Sequence, residues 1–354
     1  MTTEPVHPAA DAGYLTDVLR RRGVLDSGRV RDVAIESTRT TVLSRILRLR
    51  ITYDHASVAA PASLILKTVH PERAESFWFA GRQEVEFYSR IAAAMDSHLV
   101  PRCLEALSDP DTKAWHLLLE DLTDSHVIAT VWPVPPSTAQ CESIVGTLAG
   151  FHAAWWDDPR LGLSVGKWTS PDVASQQLQT FAGQLGEFIG HLGDRLPPQR
   201  RDLYQRFLDA SPRLLARYHA HRNATVLHGD AHVWNCFLPK DSSRDGVLLF
   251  DWDNWHLGVG SRDLAYMMAM HWYPDGRRHL ERPLLDLYHT TLLEHGVSGY
   301  DRRALQEDYR WATLRLITLP VYQWLNDIPA VIWWNNLERI LLAIDDLGCR
   351  ELLD

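Results

Sequence analysis

Residues 226–237 read VLHGDAHVWNCF, and residues 250–255 read FDWDNW. Each is a short apolar run that carries polar groups: His228, Asp230 and Asn235 in the first, Asp251 and Asp253 in the second. Val226, Leu227, Phe237, Leu248, Leu249 and Phe250 bracket them. Burying a carboxylate is costly unless a cation or hydrogen-bond donors meet it, so these acids read as part of a chemical site rather than as solvated surface.

The chain upstream of residue 122 is rich in strand patterns. VRDVAIES, TVLSRILRLRITYD and SLILKTV follow one another with the alternation of half-buried strands and predict an antiparallel sheet. Residues 10–22 and the block PERAESFWFAGRQEVEFYSRIAAAM have helical spacing, and AWHLLLEDL returns to strand. Beyond it AQCESIVGTLAGFHAAWW, SQQLQTFAGQLGEFIGHL and QRRDLYQRFLDASPRLLARYHAH are helical, as is the chain from Asp263 onward, with PVPPS and RLPPQ as loops. The expected architecture is α+β and bilobal: a small antiparallel-sheet lobe over residues 1–122 and a larger, mostly helical lobe over 123–354.

A length of 354 residues fits two lobes. The net charge of −9 argues against nucleic acid as a partner, since that affinity rests on neutralising phosphates with Lys and Arg. No uninterrupted apolar run reaches the ~18 residues of a membrane span and the start MTTEPVHPAADAG lacks a signal-peptide pattern, so the expectation is a cytoplasmic protein with no membrane partner. Cys103, Cys141, Cys236 and Cys349 are scattered and predict free thiols. Fourteen tryptophans, among them Trp272, Trp311, Trp324, Trp333 and Trp334, read first as core, with some as candidate walls of an acceptor pocket.

Phosphoryl transfer needs one carboxylate to accept the proton of an attacking hydroxyl, and carboxylate and amide oxygens to hold Mg²⁺ against phosphates. Asp230, Asn235 and Asp251 supply that set. At this point the sequence resembles the aminoglycoside phosphotransferase and choline kinase-like family, which shares the protein-kinase fold; HGDAHVWN is similar to its catalytic loop and DWD to its metal-binding motif. The resemblance implies Asp230 as catalytic base, Asn235 and Asp251 as magnesium ligands, and His228 as a brace of the loop. It further implies Lys67, ending SLILK, as the strand lysine at the nucleotide phosphates, Glu84 in EVEFY as its helix partner, and the backbone of Glu120 and Leu122 in LLLEDL as the adenine contact. Asp263, in SRDLAY, is the implied anchor of the catalytic loop. The implied activity moves the γ-phosphoryl group of ATP, or another nucleoside triphosphate, to a hydroxyl of a small molecule: an aminoglycoside-like antibiotic, with resistance as the outcome, an amino sugar or a metabolic alcohol.

One segment departs from the pattern. The loop expected to cover the nucleotide, IESTRTT, has no glycine to let backbone amides approach phosphate, which leaves Thr38, Thr40, Thr41 and Arg39 as substitute contacts. A regulatory nucleotide-binding module without turnover is the alternative this departure raises. A zinc site on His228, His232 and His256 is a third reading, opposed by Gly229 between the first two.

Overall fold

The computed structural model describes residues 7–55, 60–70, 72, 75–95, 98–241 and 246–354. The chain forms two compact units. The first takes the described residues up to Ile128 together with Phe237–Trp255; the second takes Ala129–Cys236 and His256–Asp354.

In the first unit, helix α1 (Ala12–Arg21) starts at Asp11, whose Oδ1 accepts the Tyr14 N–H at 2.9 Å, the usual cap for an orphan helix donor. Strands β1 (Val30–Thr40), β2 (Ser44–Tyr53) and β3 (Ser63–Val69) follow, then α2 (Trp78–Glu86), β4 (Cys103–Asp109), β5 (Ala114–Glu120) and the short β6 (His126–Ile128). The main sheet has the order β1-β2-β3-β5-β4 with antiparallel neighbours throughout. Its core forms where Leu47, Leu49, Leu64, Leu66 and Leu118 meet Leu15 and Leu19 of α1. The sheet expected from three early strands is present, and β4 adds an edge strand that the sequence pattern did not single out.

The chain then builds α3 (Thr138–Ala154), α4 (Pro171–Leu192), α5 (Pro198–His219) and β7 (Thr225–Leu227) of the second unit before β8 (Cys236–Pro239) and β9 (Leu248–Leu249) return it to the first. The boundary expected at residue 122 therefore differs from these units, because Phe237–Trp255 packs with the sheet-bearing unit. β8 pairs with β6, Phe237 and Phe250 stack at 4.0 Å, and Trp252 lies flat on Phe87 at 3.9 Å.

The rest of the second unit is β10 (His256–Gly258), antiparallel to β7, then α6 (Ser261–Ala265), a π-helical turn at Tyr266–Met270, α7 (Pro274–Glu294), α8 (Arg302–Arg315), α9 (Thr318–Leu325) and α10 (Ala330–Asp346). Ser137 and Gln140 close a reciprocal capping box on α3. α3 packs on α7 and α6 on α8. Trp272, Trp311 and Trp333 are buried core, as the simpler reading of the tryptophans has it, while Trp324 edges Phe188. All four cysteines are free.

Candidate active site

In β3 alternate residues face opposite sides, so burying Leu64 and Leu66 against the α1 core turns Lys67 to the other face. There it meets Glu84 in the last turn of α2. The Lys67 Nζ donates to Glu84 Oε1 at 2.9 Å and to Asp251 Oδ1 at 2.6 Å; Lys67 is 12% exposed and Glu84 2%. Burial alone would lower the lysine, but Asp251 and Glu84 outweigh it and hold the ammonium well above its ordinary value. Burial pushes the Glu84 carboxyl up, with Lys67 opposing.

Asp251 has φ of 69°, a left-handed backbone that aspartate tolerates better than most side chains. That bend sends the buried Trp252 onto Phe87, with its Nε1 donating to the Leu249 carbonyl at 3.0 Å and its backbone N–H to the Glu84 carboxylate. Trp255 fastens the same segment to α2 by donating its Nε1 to the Gln83 carbonyl at 2.8 Å. Asp253 is buried and accepts from Asn254 Nδ2 at 2.8 Å.

The glycine-free segment is not an extended loop. Thr38, Arg39 and Thr40 are exposed residues of β1, paired with Leu47, Ile46 and Arg45. The turn is only Thr41–Leu43, closed by the Thr41 hydroxyl, which accepts the N–H groups of Leu43 at 3.3 Å and Ser44 at 3.0 Å. At the end of β5 the Glu120 N–H donates to the Arg102 carbonyl at 2.9 Å, and the Leu122 carbonyl accepts from His126 at 2.9 Å, so those two groups serve the fold.

In the second unit β7 delivers the chain to His228, Gly229 and Asp230. Gly229 has φ of 81°, the left-handed turn that glycine adopts without penalty, so His228 and His232 do not share a helix face as a zinc pair would. The His228 and Gly229 N–H groups both donate to Asp263, at 2.7 and 3.1 Å. Asp263 also bonds His152 Nε2 at 3.2 Å, and His152 Nδ1 bonds the Tyr288 hydroxyl at 2.8 Å. A Cβ at Gly260 would lie 2.2 Å from that hydroxyl and 2.8 Å from His152 Nδ1, so only glycine lets the backbone pass. Burial raises the Asp263 carboxyl, but the His152 bond and its other donors outweigh this and leave it low.

The loop so fastened presents Asp230, 25% exposed. Tyr266 donates its hydroxyl to Oδ1 at 2.6 Å, and Asn235 Nδ2 donates to Oδ2 at 3.1 Å and to the Asp230 carbonyl at 3.0 Å. The buried His228 accepts the Asp230 N–H on Nδ1 at 3.3 Å. With its nitrogen committed to two acceptors, the Asn235 amide turns its oxygen the other way. That oxygen and the Asp251 carboxylate are hard donors of the kind Mg²⁺ takes. Among the described residues no three or more His, Cys, Asp or Glu side chains gather as a metal centre. Asn235 in the second unit and Asp251 in the first each offer an oxygen of the kind that magnesium takes beside waters and substrate phosphates.

Sequence reading missed Tyr266, His152 and Trp252. Tyr266 follows Asp263 by three residues, the spacing of one helix face, and was legible in SRDLAY. His152 lies inside an apolar helix and carries no signal of its partners.

His271 packs its ring against Tyr266 at 4.9 Å and His232 at 5.4 Å, and its buried Nε2 has no hydrogen-bond partner among the described residues. Burial first, then the charges of His232 and Arg339, push it well below 6.5. Its folded value lies under its unfolded one, so the unfolded chain binds more protons below pH ~6.5 and stability falls as pH drops through that window. Chemical denaturation from pH 7.5 to 5 is expected to show this slope, at most about 1.4 kcal/mol per pH unit for one proton, and His271→Phe is expected to remove that share of it.

The antiparallel sheet with its lysine–glutamate pair, followed by a helical region with an Asp-bearing loop, defines a protein-kinase-like fold. The phosphotransferase enzyme family (APH) matches residues 50–305, more than half of the chain, and the chain belongs to that family. The structure is similar to choline kinase from Cryptosporidium parvum Iowa II, with a TM-score of 0.58 at 9% identity over 90% of this chain and 91% of that one. It is also similar to aminoglycoside 2'-phosphotransferase-IIIa, solved as a GDP complex, with a TM-score of 0.51 at 11% identity over 96% and 99%. No curated protein matches significantly. Among the described residues no helix is long and apolar enough to cross a membrane.

Proposed function

We propose that this phosphotransferase moves the γ-phosphoryl group of a nucleoside triphosphate, ATP in the first instance, to a hydroxyl of a small acceptor. The observation that carries the reading is Asp230: a partly exposed carboxylate whose two oxygens are each oriented by a neutral donor, on a loop whose backbone is fixed by Asp263. Such a group accepts the hydrogen bond of an incoming hydroxyl and takes its proton as the bond to phosphorus forms. Lys67, held by Glu84, places its ammonium on the nucleotide phosphates, and the backbone of Glu120 and Leu122 meets the base. Asn235 and Asp251 hold Mg²⁺, which when bound offsets charge on the phosphates. The work of these residues is positioning and electrostatics. The acceptor class is an aminoglycoside-like antibiotic, an amino sugar or a metabolic alcohol, and the compartment is the cytoplasm.

The closed turn at Thr41–Leu43 favours a second reading, a nucleotide-binding module of low turnover, because that turn spends its hydroxyl on its own backbone. Mg²⁺-dependent release of ADP from ATP across a panel of hydroxylated small molecules separates the two. Stimulation of the wild type by one compound, absent in Asp230→Asn, supports the kinase and names the acceptor. Binding of Mg²⁺-ATP with no stimulated turnover supports the module. Failure to bind either ATP or GTP overturns both.

A further inference from the structure

Arg262, on α6, and Arg315, the last residue of α8, converge on one aromatic ring. Their guanidinium carbons lie 5.9 and 4.9 Å from the centroid of Tyr218, near the end of α5. Neither guanidinium has a hydrogen bond or ion pair among the described residues. Their neighbours differ. Arg217, beside Tyr218, is bidentate on Asp308, and Arg277 pairs with Glu281 and Asp346. The carboxylate next to Arg262 in sequence, Asp263, is already taken up by His152 and by the N–H groups of His228 and Gly229. Burial, with the charge of Arg315 added, pushes Arg262 down to about 10.

Both arginines line two cavities. One is walled by Trp168 stacked on His221 at 4.2 Å; the other reaches Gly229 and Tyr266. Two half-buried like charges around one ring repel each other; Asp263 offsets part of this at Arg262, but among the described residues no carboxylate forms an ion pair with either guanidinium. Guanidinium forks match the oxygens of phosphate and carboxylate groups two at a time.

We infer that Arg262 and Arg315 form a binding site for a small oxyanion, the phosphate or carboxylate group of a small molecule seated over Tyr218. The site shares Gly229 and Tyr266 with the surroundings of Asp230, but the inference stands on binding alone and is independent of turnover.

The test follows the melting temperature of wild type, Arg315→Gln and Arg262→Gln against inorganic phosphate, with chloride balancing ionic strength. Wild type is expected to rise saturably, and Arg315→Gln to need at least about tenfold more phosphate for the same rise. Without phosphate, Arg315→Gln is expected to melt no lower than wild type, since one of two like charges is gone. Arg315 is half-buried at a helix end, so this variant carries the test even where Arg262→Gln fails to fold. Phosphate held instead at the Lys67 group would act equally on wild type and Arg315→Gln, and that result overturns the site. So does a wild type that responds to phosphate no more than to chloride. Acetate in place of phosphate separates the two sources: an acetate response lost in Arg315→Gln supports a site for carboxylates as well, and a response to phosphate alone supports a site for phosphoryl groups.

Discussion

Asp230→Asn is expected to lower kcat by about 10²- to 10⁴-fold, the range a positioned general base contributes, with the KM for nucleotide little changed. Asparagine keeps the size of the side chain and one oxygen to accept the Tyr266 hydroxyl, and Asp263 still fixes the loop through the backbone of His228 and Gly229. What it loses is the capacity to accept a proton and the acceptor at Oδ2, where an NH2 would face the Asn235 Nδ2, which keeps its bond to the residue 230 carbonyl. The melting temperature is therefore expected to move little while turnover collapses. Tyr266→Phe is the control for orientation: it leaves the carboxylate but frees Oδ1, so a loss of roughly tenfold or less is expected. A kcat for Asp230→Asn within threefold of wild type would remove Asp230 from the chemistry, whatever Tyr266→Phe showed.

The parts of this site that the sequence carried are those written over short spans. His228, Asp230 and Asn235 lie within eight residues, and the alternation of β3 and the helical spacing around Glu84 are local patterns. What holds them is not local. Tyr266 reaches Asp230 across 36 positions, and His152 reaches Asp263 across 111. Neither link is itself a periodicity; only the three-residue spacing of Tyr266 from Asp263 is local. The same reason moved the domain boundary: Phe237–Trp255 joins the sheet-bearing unit through pairing of β8 with β6 and the stack of Trp252 on Phe87, contacts that a composition change at residue 122 does not contain. Strand β4 was passed over because LEALSD, between Pro101 and the turn at Asp109–Thr112, alternates weakly and sits at the sheet edge. The glycine-free turn was legible as a departure, but only the pairing of Thr40 with Arg45 showed that a tight hairpin replaces the loop.

Lys67→Met is expected to damage both fold and function, and the two losses can be pulled apart. Methionine keeps most of the volume but leaves Glu84, 2% exposed, with no cation, beside Asp251. Removing one partner of a buried ion pair costs about 3–5 kcal/mol, because the remaining charge stays desolvated. Burial already raises the Glu84 carboxyl with the lysine in place, and without Lys67 that opposition disappears. A folded value above the unfolded one means protonation favours the fold. The deficit of Lys67→Met relative to wild type is therefore expected to be largest at neutral pH and to narrow as pH falls toward the folded value of Glu84. Adding Glu84→Gln removes the orphaned charge, so the double variant is expected to recover part of the stability lost in Lys67→Met, a coupling that a double-mutant cycle in urea measures directly. Nucleotide affinity follows the other logic: it needs the ammonium, and Glu84→Gln cannot restore it. A double variant that regains stability but binds ATP at least about tenfold more weakly than wild type assigns Lys67 to the phosphates. A double variant that binds ATP as wild type does makes the Lys67–Glu84–Asp251 cluster a structural device, and the phosphate contact then has to be sought elsewhere in the first unit.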